Sequence, residues 1–306
     1  MLRNALLWAS TNRFLAERLP RSRAVQRATR RFLPGERLED ALGEAARLQE
    51  GGAGTTVTLL GENVTTSVEA DGVVTHYLHL LEAVRAAGLN TELSVKLTQL
   101  GLEQDVEATR QRLEHVVRAC DPGSLVWVDM ESSAYVDRTL EVFRGVREDH
   151  QNVGMCLQSY LRRTQEDLDK LLPLQPAIRL VKGAYKEPPE VAFPRKADVD
   201  QSFLRLSSTL LRARKEGRVG RPVIATHDQR MVAEANRMAH ELGVGKDAYE
   251  IAMLYGIQTA EQERLVRNGY QLRILVSYGT HWFPWYMRRL AERPANVWFV
   301  VKQLIG

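Results

Sequence analysis

Charged and polar side chains recur at the ends of short apolar runs along this sequence, where a parallel β-structure would gather them. Lys96 and Asp129 end two successive runs, and Gln158, Lys182 and His227 end later ones. A lysine, an aspartate, a glutamine and a histidine at one surface can bind charged ligands, orient them by hydrogen bonds or move protons. This pattern indicates an enzyme or a tight binder rather than a purely structural protein.

Lys96 lies in the run Ser94-Val95-Lys96-Leu97-Thr98, in which strand alternation places Ser94, Lys96 and Thr98 on one face. A buried lysine needs a counter-charge, and Asp129 at the end of the next run is the candidate. Two interpretations stay open. The pair lines a catalytic pocket, or it is an ion pair that only fills the end of the structure.

Arg288 and Arg289 follow an aromatic run that includes Trp285. Paired guanidinium groups suit a substrate carboxylate through bidentate hydrogen bonds, although a solvated arginine pair is the alternative. His227 is a candidate base, metal ligand or cofactor contact. Because no HxH or HExxH pattern accompanies it, we predict no metal site and a hydrogen bond from His227 to a polar ligand.

The elements that position these residues are eight apolar runs separated by segments of helical periodicity, which predicts an α/β fold with a parallel sheet. Eight repeats predict a closed (β/α)8 TIM-like barrel with N-terminal helices. An open doubly wound sheet is the alternative, but no Gly-rich turn follows an early strand. The predicted strands are Thr55–Glu62, Thr91–Thr98, Leu125–Met130, Val153–Gln158, Ile178–Ala184, Pro222–Asp228, Tyr249–Gly256 and Gln271–Gly279.

Residues 1–54 are predicted to form an N-terminal helical arm and residues 55–306 the catalytic barrel. The first 31 residues contain eight arginines and one acid, so the arm accounts for the net charge of +4. A transit peptide, a contact with anionic lipid and a pair of solvated helices are the interpretations. We expect a bacterial cytoplasmic protein, with a peripheral position at the inner membrane as a variant, and no nucleic-acid partner.

The strand-end segments resemble those of the proline dehydrogenase family, in family order and over nearly the whole barrel. The matching stretches are Leu59-Leu60-Gly61-Glu62, Ser94 to Gly101, Val128-Asp129-Met130-Glu131, Leu157-Gln158-Ser159-Tyr160-Leu161, Arg179 to Tyr185, Ala225-Thr226-His227-Asp228, Met253-Leu254-Tyr255-Gly256 and Arg288 to Glu292. The resemblance implies an FAD enzyme that oxidises L-proline to Δ1-pyrroline-5-carboxylate and passes the electrons to a quinone.

The resemblance also implies roles for particular residues. Lys96, Asp129, Arg288 and Arg289 would be catalytic, and Glu62 would pair with Arg288 as a gate. The implied FAD-binding residues are Gln158, Arg179, Lys182, Gly183, Ala184, Thr226 and His227. The implied substrate-binding residues are Lys96, Leu180, Ala184, Tyr185, Leu275, Trp285, Arg288 and Arg289.

Two positions depart from the family pattern. The family's YxPxG segment is here Leu275-Val276-Ser277-Tyr278-Gly279, and Trp285 replaces a tyrosine three residues before the arginine pair. Leucine at position 275 leaves room for 4-hydroxyproline, so a dehydrogenase for hydroxyproline or another cyclic imino acid is one alternative. A flavin-free lyase or aldolase with a Schiff base on Lys96 is another, although Asp129 would keep that lysine charged.

Overall fold

Eight parallel strands close into a barrel in sequence order in the computed structural model, which describes residues 12, 29, 31–61, 64–283 and 285–287. The barrel closes where β1 pairs with β8, from Gly54 opposite Arg273 to Leu59 opposite Tyr278. The predicted (β/α)8 fold is therefore confirmed. The strands are β1 (Gly54–Leu59), β2 (Thr91–Val95), β3 (Val126–Val128), β4 (Val153–Gln158), β5 (Ala177–Val181), β6 (Arg221–Ala225), β7 (Glu250–Leu254) and β8 (Gln271–Tyr278).

Helices of the described residues form the outer layer of the barrel. They are α1 (Leu38–Glu50), α2 (Ser67–Ala86), α3 (Val106–Ala119), α4 (Val136–Arg147), α5 (Thr164–Leu171), α6 (Lys196–Lys215), α7 (Gln229–Leu242) and α8 (Thr259–Arg267), with 3₁₀ turns at Leu97–Leu100, Ser133–Tyr135 and Leu172–Leu174. α3 begins four residues later than the apolar stripe from Leu102 suggests, because the Asp105 carboxylate caps the helix by accepting from the Ala108 N–H at 2.9 Å.

The apolar residues of the strands form two cores because each strand is covered on both faces. Outward-facing strand residues pack with the helices in the large core, which includes Leu93, Ile178, Leu180 and Ile251. A smaller core inside the barrel is built around Trp127 and contains Leu125, Ala177, Val223 and Ala252. Strand alternation thus separates side chains that stabilise the helix layer from those that face the barrel interior.

Seven of the eight strands end one to three residues earlier than predicted, and β4 ends at Gln158 as predicted. β2 ends at Val95, Lys96 is still extended, and the chain then turns into the 3₁₀ segment Leu97–Leu100. Thr98 consequently leaves the strand alternation, and its backbone N–H and hydroxyl donate to the Glu131 carboxylate at 3.1 and 2.6 Å. None of the helices within the described residues is long and apolar enough to cross a membrane. The basic arm, to which the transit-peptide, lipid-contact and solvated-helix interpretations apply, lies almost wholly outside the described residues.

Candidate active site

Lys96 and Asp129 meet at the carboxyl end of the barrel, as the spacing of their strands predicts. The Lys96 Nζ lies 3.5 Å from the Asp129 Oδ2, and both side chains are largely buried. Lys96 directly follows β2 and Asp129 directly follows β3, and these strands are neighbours in the barrel. The order of the strands therefore brings the two residues together.

Arg179 joins this pair from inside the barrel. Its Nη2 donates to the Asp129 Oδ1 and, at 2.8 Å, to the Ser94 hydroxyl, which itself donates to Asp129 at 2.9 Å. The Arg179 guanidinium also lies 5.0 Å from the centre of the Trp127 ring. Arg179 is the third residue of β5, so it lies deeper than a residue at the strand end, and its guanidinium is fixed on several sides.

The charges of this cluster do not cancel. Burial is the largest single influence on the Asp129 carboxyl and raises its pKa, but Arg179, Lys96 and the Ser94 hydroxyl together lower it by more, so the pKa lies below its ordinary value. Burial is also the largest single influence on Arg179 and lowers its pKa, but the neighbouring acidic groups, Asp129 first among them, together raise it by more. Two cations thus share one carboxylate, and the three charged groups carry one net positive charge that favours an anionic ligand.

An aliphatic hollow lies on the other side of the barrel mouth. On four consecutive strands an inward-facing residue is partly exposed, although the residue before it is buried. The exposure of these four side chains indicates open space beside them. These residues are Val181, Ala225, Leu254 and Leu275. A cationic cluster opposite an aliphatic hollow suits a small ligand with a carboxylate and an apolar ring.

Lys182 lies in a separate cluster with two aspartates. Its Nζ is 2.6 Å from the Asp200 Oδ1 and 3.4 Å from the Asp228 Oδ2, and Lys196 also contacts both aspartates. The exposed Arg230 lies 3.7 Å from Asp228, so three cations and two aspartates meet where α6 packs against the ends of β5 and β6. Lys182 can donate a hydrogen bond to a ligand here, but its charge is already matched by carboxylates.

Gln158 presents a buried acceptor at the end of β4. Its Nε2 donates to the Met130 carbonyl oxygen at 3.1 Å, while no described residue donates to its buried Oε1. A buried amide oxygen without a donor loses hydrogen-bonding free energy unless a ligand or water supplies one. The ring N–H of an isoalloxazine is such a donor, so the residues at this end fit a flavin.

Thr226 and His227 are held by the neighbouring backbone. The Thr226 hydroxyl accepts from the Asp228 N–H at 3.1 Å, and the His227 Nε2 accepts from the Leu254 N–H at 3.2 Å. Because Nε2 is an acceptor, the neutral imidazole carries its proton on Nδ1. Both residues lie at the barrel mouth between β6 and β7. Among the residues that the structure describes, no group of three or more His, Cys, Asp or Glu is placed to hold a metal ion.

The segment directly after β5 is closely packed at Gly183. Gly183 has a φ of +112°, and a Cβ there would lie 2.2 Å from the Tyr160 ring, so only glycine fits. Ala184 and Tyr185 follow it and are partly exposed at the mouth. Leu180 alternates with Arg179 and is buried in the large core. Its predicted contact with the ligand stays a prediction.

Several predicted residues lie outside the described part of the chain, namely Glu62, Arg288 and Arg289. Trp285 is buried in an aromatic cluster that consists of Phe32, Leu33, Leu60, Ile257, Trp282, Phe283, Trp285 and Tyr286. This cluster covers the β7–β8–β1 side of the mouth, because Leu60 follows β1 and Ile257 follows β7. Tyr278, a polar residue at the end of β8, faces outward and contacts the His76 Nε2 of α2 at 2.5 Å.

Sequence reasoning gave no site role to four side chains that lie near these clusters. Alternation already placed Ser94 on the face of Lys96, and it could have placed Trp127 on the face of Asp129. Thr58 and Ser277 face inward opposite each other on β1 and β8, and within the described residues neither buried hydroxyl has a hydrogen-bond partner. Their importance depends on burial, which only the folded structure reveals.

Comparisons with known proteins agree on one family. A family model described as Proline dehydrogenase matches residues 41–302. Proline dehydrogenase 1 of Bacillus subtilis (strain 168) is 35% identical over 306 residues, which is 100% of this chain and 99% of that protein. Proline dehydrogenase of Deinococcus radiodurans is 37% identical over 281 residues, 90% of this chain and 89% of that protein.

Solved structures give the same picture. Proline utilization A (PutA) from Bdellovibrio bacteriovorus, inactivated by N-propargylglycine, has a TM-score of 0.83 and 25% identity to this chain. The match covers 95% of this chain but 36% of that longer one. The likeness therefore concerns one part of the larger protein.

Proposed function

Because the chain belongs to the proline dehydrogenase family, a family of flavin-dependent oxidoreductases, we propose that it binds FAD and oxidises L-proline to Δ1-pyrroline-5-carboxylate. The observation that carries this proposal is the pairing of a net positive cluster with an aliphatic hollow. Lys96 and Arg179 outnumber Asp129, and Leu254 and Leu275 face the same mouth. The negative charge of a reduced flavin matches the cluster through Arg179, and the apolar ring of proline matches the hollow.

The cofactor would lie across the strand ends. Gln158 would accept a hydrogen bond at its Oε1, and Arg179, Lys182, Gly183 and Ala184 would border it along β5. Thr226 and His227 would hold it on the β6 side. Bound FAD would supply at its N5 atom the acceptor for a hydride from the proline ring carbon, and would pass the electrons to a quinone.

The chain's own residues would bind and orient the substrate. Arg288 and Arg289 would bind the carboxylate by bidentate hydrogen bonds, and Glu62 would pair with Arg288 as a gate that excludes water. Lys96 would line the pocket with its Nζ held by Asp129. Tyr185, Leu275 and Trp285 would border the proline ring. These contacts would orient proline, with its amine deprotonated, so that the ring carbon can lose a hydride.

A quinone acceptor would place the protein beside a membrane. The eight arginines of the first 31 residues would contact anionic lipid, which suits a peripheral protein on the cytoplasmic side. This part of the proposal is independent of the active site. It is tested by sedimentation with vesicles of anionic lipid, with and without a truncation of the arm.

The structure supports proline oxidation better than either alternative, a Schiff-base lyase or aldolase and a hydroxyproline dehydrogenase. A Schiff base on Lys96 needs an amine that is free to attack a carbonyl, whereas the Lys96 Nζ lies 3.5 Å from the Asp129 Oδ2 as its partner. Hydroxyproline would enter the same hollow. Because its four residues are aliphatic, they offer no hydrogen-bond partner to the hydroxyl.

The decisive experiment is a visible absorption spectrum of the purified protein before and after anaerobic addition of L-proline. We expect a flavin band that bleaches when L-proline is added, and no bleaching with D-proline as the control. A flavin band that persists with L-proline would support FAD as the cofactor but contradict L-proline as the substrate. No band after purification and addition of FAD would reject the proposal.

A further inference from the structure

The chain that precedes α1 passes directly over the loop after β7. Gly256 has a φ of +73°, and a Cβ at that residue would lie 1.6 Å from the Arg31 carbonyl oxygen. The Arg31 Nε also donates to the Gly256 carbonyl oxygen at 3.4 Å. Backbone contact this close is compatible only with glycine, so the position of residues 31–33 is fixed relative to the barrel mouth.

From this crossing point Phe32 and Leu33 enter the aromatic cluster. Both are buried, and the Phe32 and Tyr286 ring centres are 6.0 Å apart. Tyr286 in turn packs edge-on against Trp282 at 6.0 Å. Residues from the start of the chain and residues from its last described segment thus form one small core, separate from the main core of the barrel.

A directed hydrogen bond adds to this packing. Trp282 is only 1% exposed, and its Nε1 donates to the Glu36 Oε1 at 2.9 Å. A buried indole N–H requires a partner, and a carboxylate is a strong one. The bond therefore fixes both the depth and the rotation of the helical residues 282, 283 and 285–287 over the mouth.

Arg288 and Arg289 follow Met287 directly in the sequence. We propose that residues 31–36 position the segment 282–287, and through it the arginine pair, so that Glu36 and Phe32 are positioning residues for the substrate carboxylate. This inference rests on the proposed function. Because misplacement of a binding group by about 1 Å can greatly weaken catalysis, a bond outside the pocket can control substrate binding.

The test compares Glu36→Ala with Glu36→Gln, because glutamine keeps an oxygen that accepts from the indole. Two inhibitors are compared, tetrahydrofuran-2-carboxylate and its neutral carboxamide. We expect Glu36→Ala to raise the inhibition constant of the carboxylate and the KM for L-proline about five- to tenfold, the value of one hydrogen bond. The constant for the carboxamide, the kcat and the flavin content should change less than about twofold, and Glu36→Gln should restore the carboxylate constant.

Trp282→Phe removes the donor and keeps an aromatic ring, so it provides an independent variant. It should weaken carboxylate binding as Glu36→Ala does, and the double variant should be no worse than either one. Glu107→Ala is the matched control, because Glu107 is an exposed glutamate whose contacts with Arg110 and Gln111 lie on α3.

Equal weakening of carboxylate and carboxamide binding, or no weakening, would overturn the inference. A wild-type protein that does not bleach with L-proline would instead reject the proposed function, so the two failures are distinguishable.

Discussion

The two ends of the barrel interior both contain buried arginines and carboxylates, but the two clusters differ in how their charges are matched. At the amino end Glu92 and Glu250 contact Arg221 and Arg273, so the formal charges cancel. At the carboxyl end Lys96 and Arg179 share Asp129, which leaves one positive charge among these three groups, while the buried Glu131 carboxylate accepts from Thr98. The charge-matched cluster at the amino end holds the barrel together, whereas the cluster at the carboxyl end lies beside the partly exposed hollow and is suited to a ligand.

Trp127 separates the two clusters and contacts both. Its ring centre is 5.0 Å from the Arg179 guanidinium and 5.8 Å from that of Arg221, and its Nε1 donates to the Glu92 Oε2 at 2.7 Å. The indole is therefore tied to the amino end and supports Arg179 at the other end. The comparison teaches that similar residue types serve stability or binding according to whether their charges are matched within the barrel.

The largest effect on stability is expected at the amino end. Glu92→Gln removes a carboxylate that is 2% exposed and leaves Arg221 and Arg273 with only Glu250 between them. Breaking such a buried network should lower the free energy of unfolding by about 3 kcal/mol or more, as measured by urea denaturation. The KM for L-proline of the folded variant should be unchanged. A loss below about 1 kcal/mol, or a changed KM, would contradict the assignment of this end to stability.

The largest effect on activity is expected at the carboxyl end. Arg179→Met keeps much of the side-chain volume but removes the cation beside Ser94 and Asp129. We expect kcat/KM for L-proline to fall about 100-fold, the usual effect of losing a preorganised electrostatic group. Arg273→Met is the matched variant at the amino end, and its folded fraction should keep kcat/KM within about threefold of wild type. Similar losses in both variants would remove the distinction between the ends.

The sequence predicted the parts of these clusters that depend on strand order and alternation. Eight apolar runs became eight strands, and Lys96 met Asp129 because each directly follows one of two neighbouring strands. Alternation indicates that Leu180 faces away from Arg179, whereas the family resemblance implies a place in the pocket, and that contact stays a prediction. The partnership of Lys182 with Asp200 was not predictable, since it depends on how α6 packs against the ends of β5 and β6.

A smaller effect is expected on substrate preference. The hollow around Leu275 is aliphatic, and such a surface rejects an added hydroxyl only weakly. We expect kcat/KM for L-proline to exceed that for trans-4-hydroxy-L-proline by about tenfold, with measurable turnover of both. Ser277→Ala should widen this ratio, because it removes a buried inward-facing hydroxyl near Leu275 that lacks a partner within the described residues.

Ser207→Ala is the matched control for that variant. Ser207 is also fully buried, but its hydroxyl donates to the Phe203 carbonyl oxygen within α6 at 2.8 Å. The ratio should not change in this variant, although its stability should fall. A ratio that responds equally to both serine substitutions would show that Ser277 does not contact the substrate ring.

The smallest effect is expected on the response to acid. The pKa of Asp129 is lowered in the folded protein by Arg179 and Lys96, which outweigh its burial. Stability from this shift is fully present above the unfolded pKa of about 3.9 and is lost as the pH falls through the lower folded pKa. Between pH 5.5 and pH 3 the Tm of wild type should therefore fall more than that of Asp129→Asn. Glu250 at the amino end also has a lowered pKa, but it titrates in both proteins and cancels from the difference. Parallel Tm curves for the two proteins would mean that the Asp129 carboxylate is not stabilised by the two cations, and the charged cluster would lose its central contact.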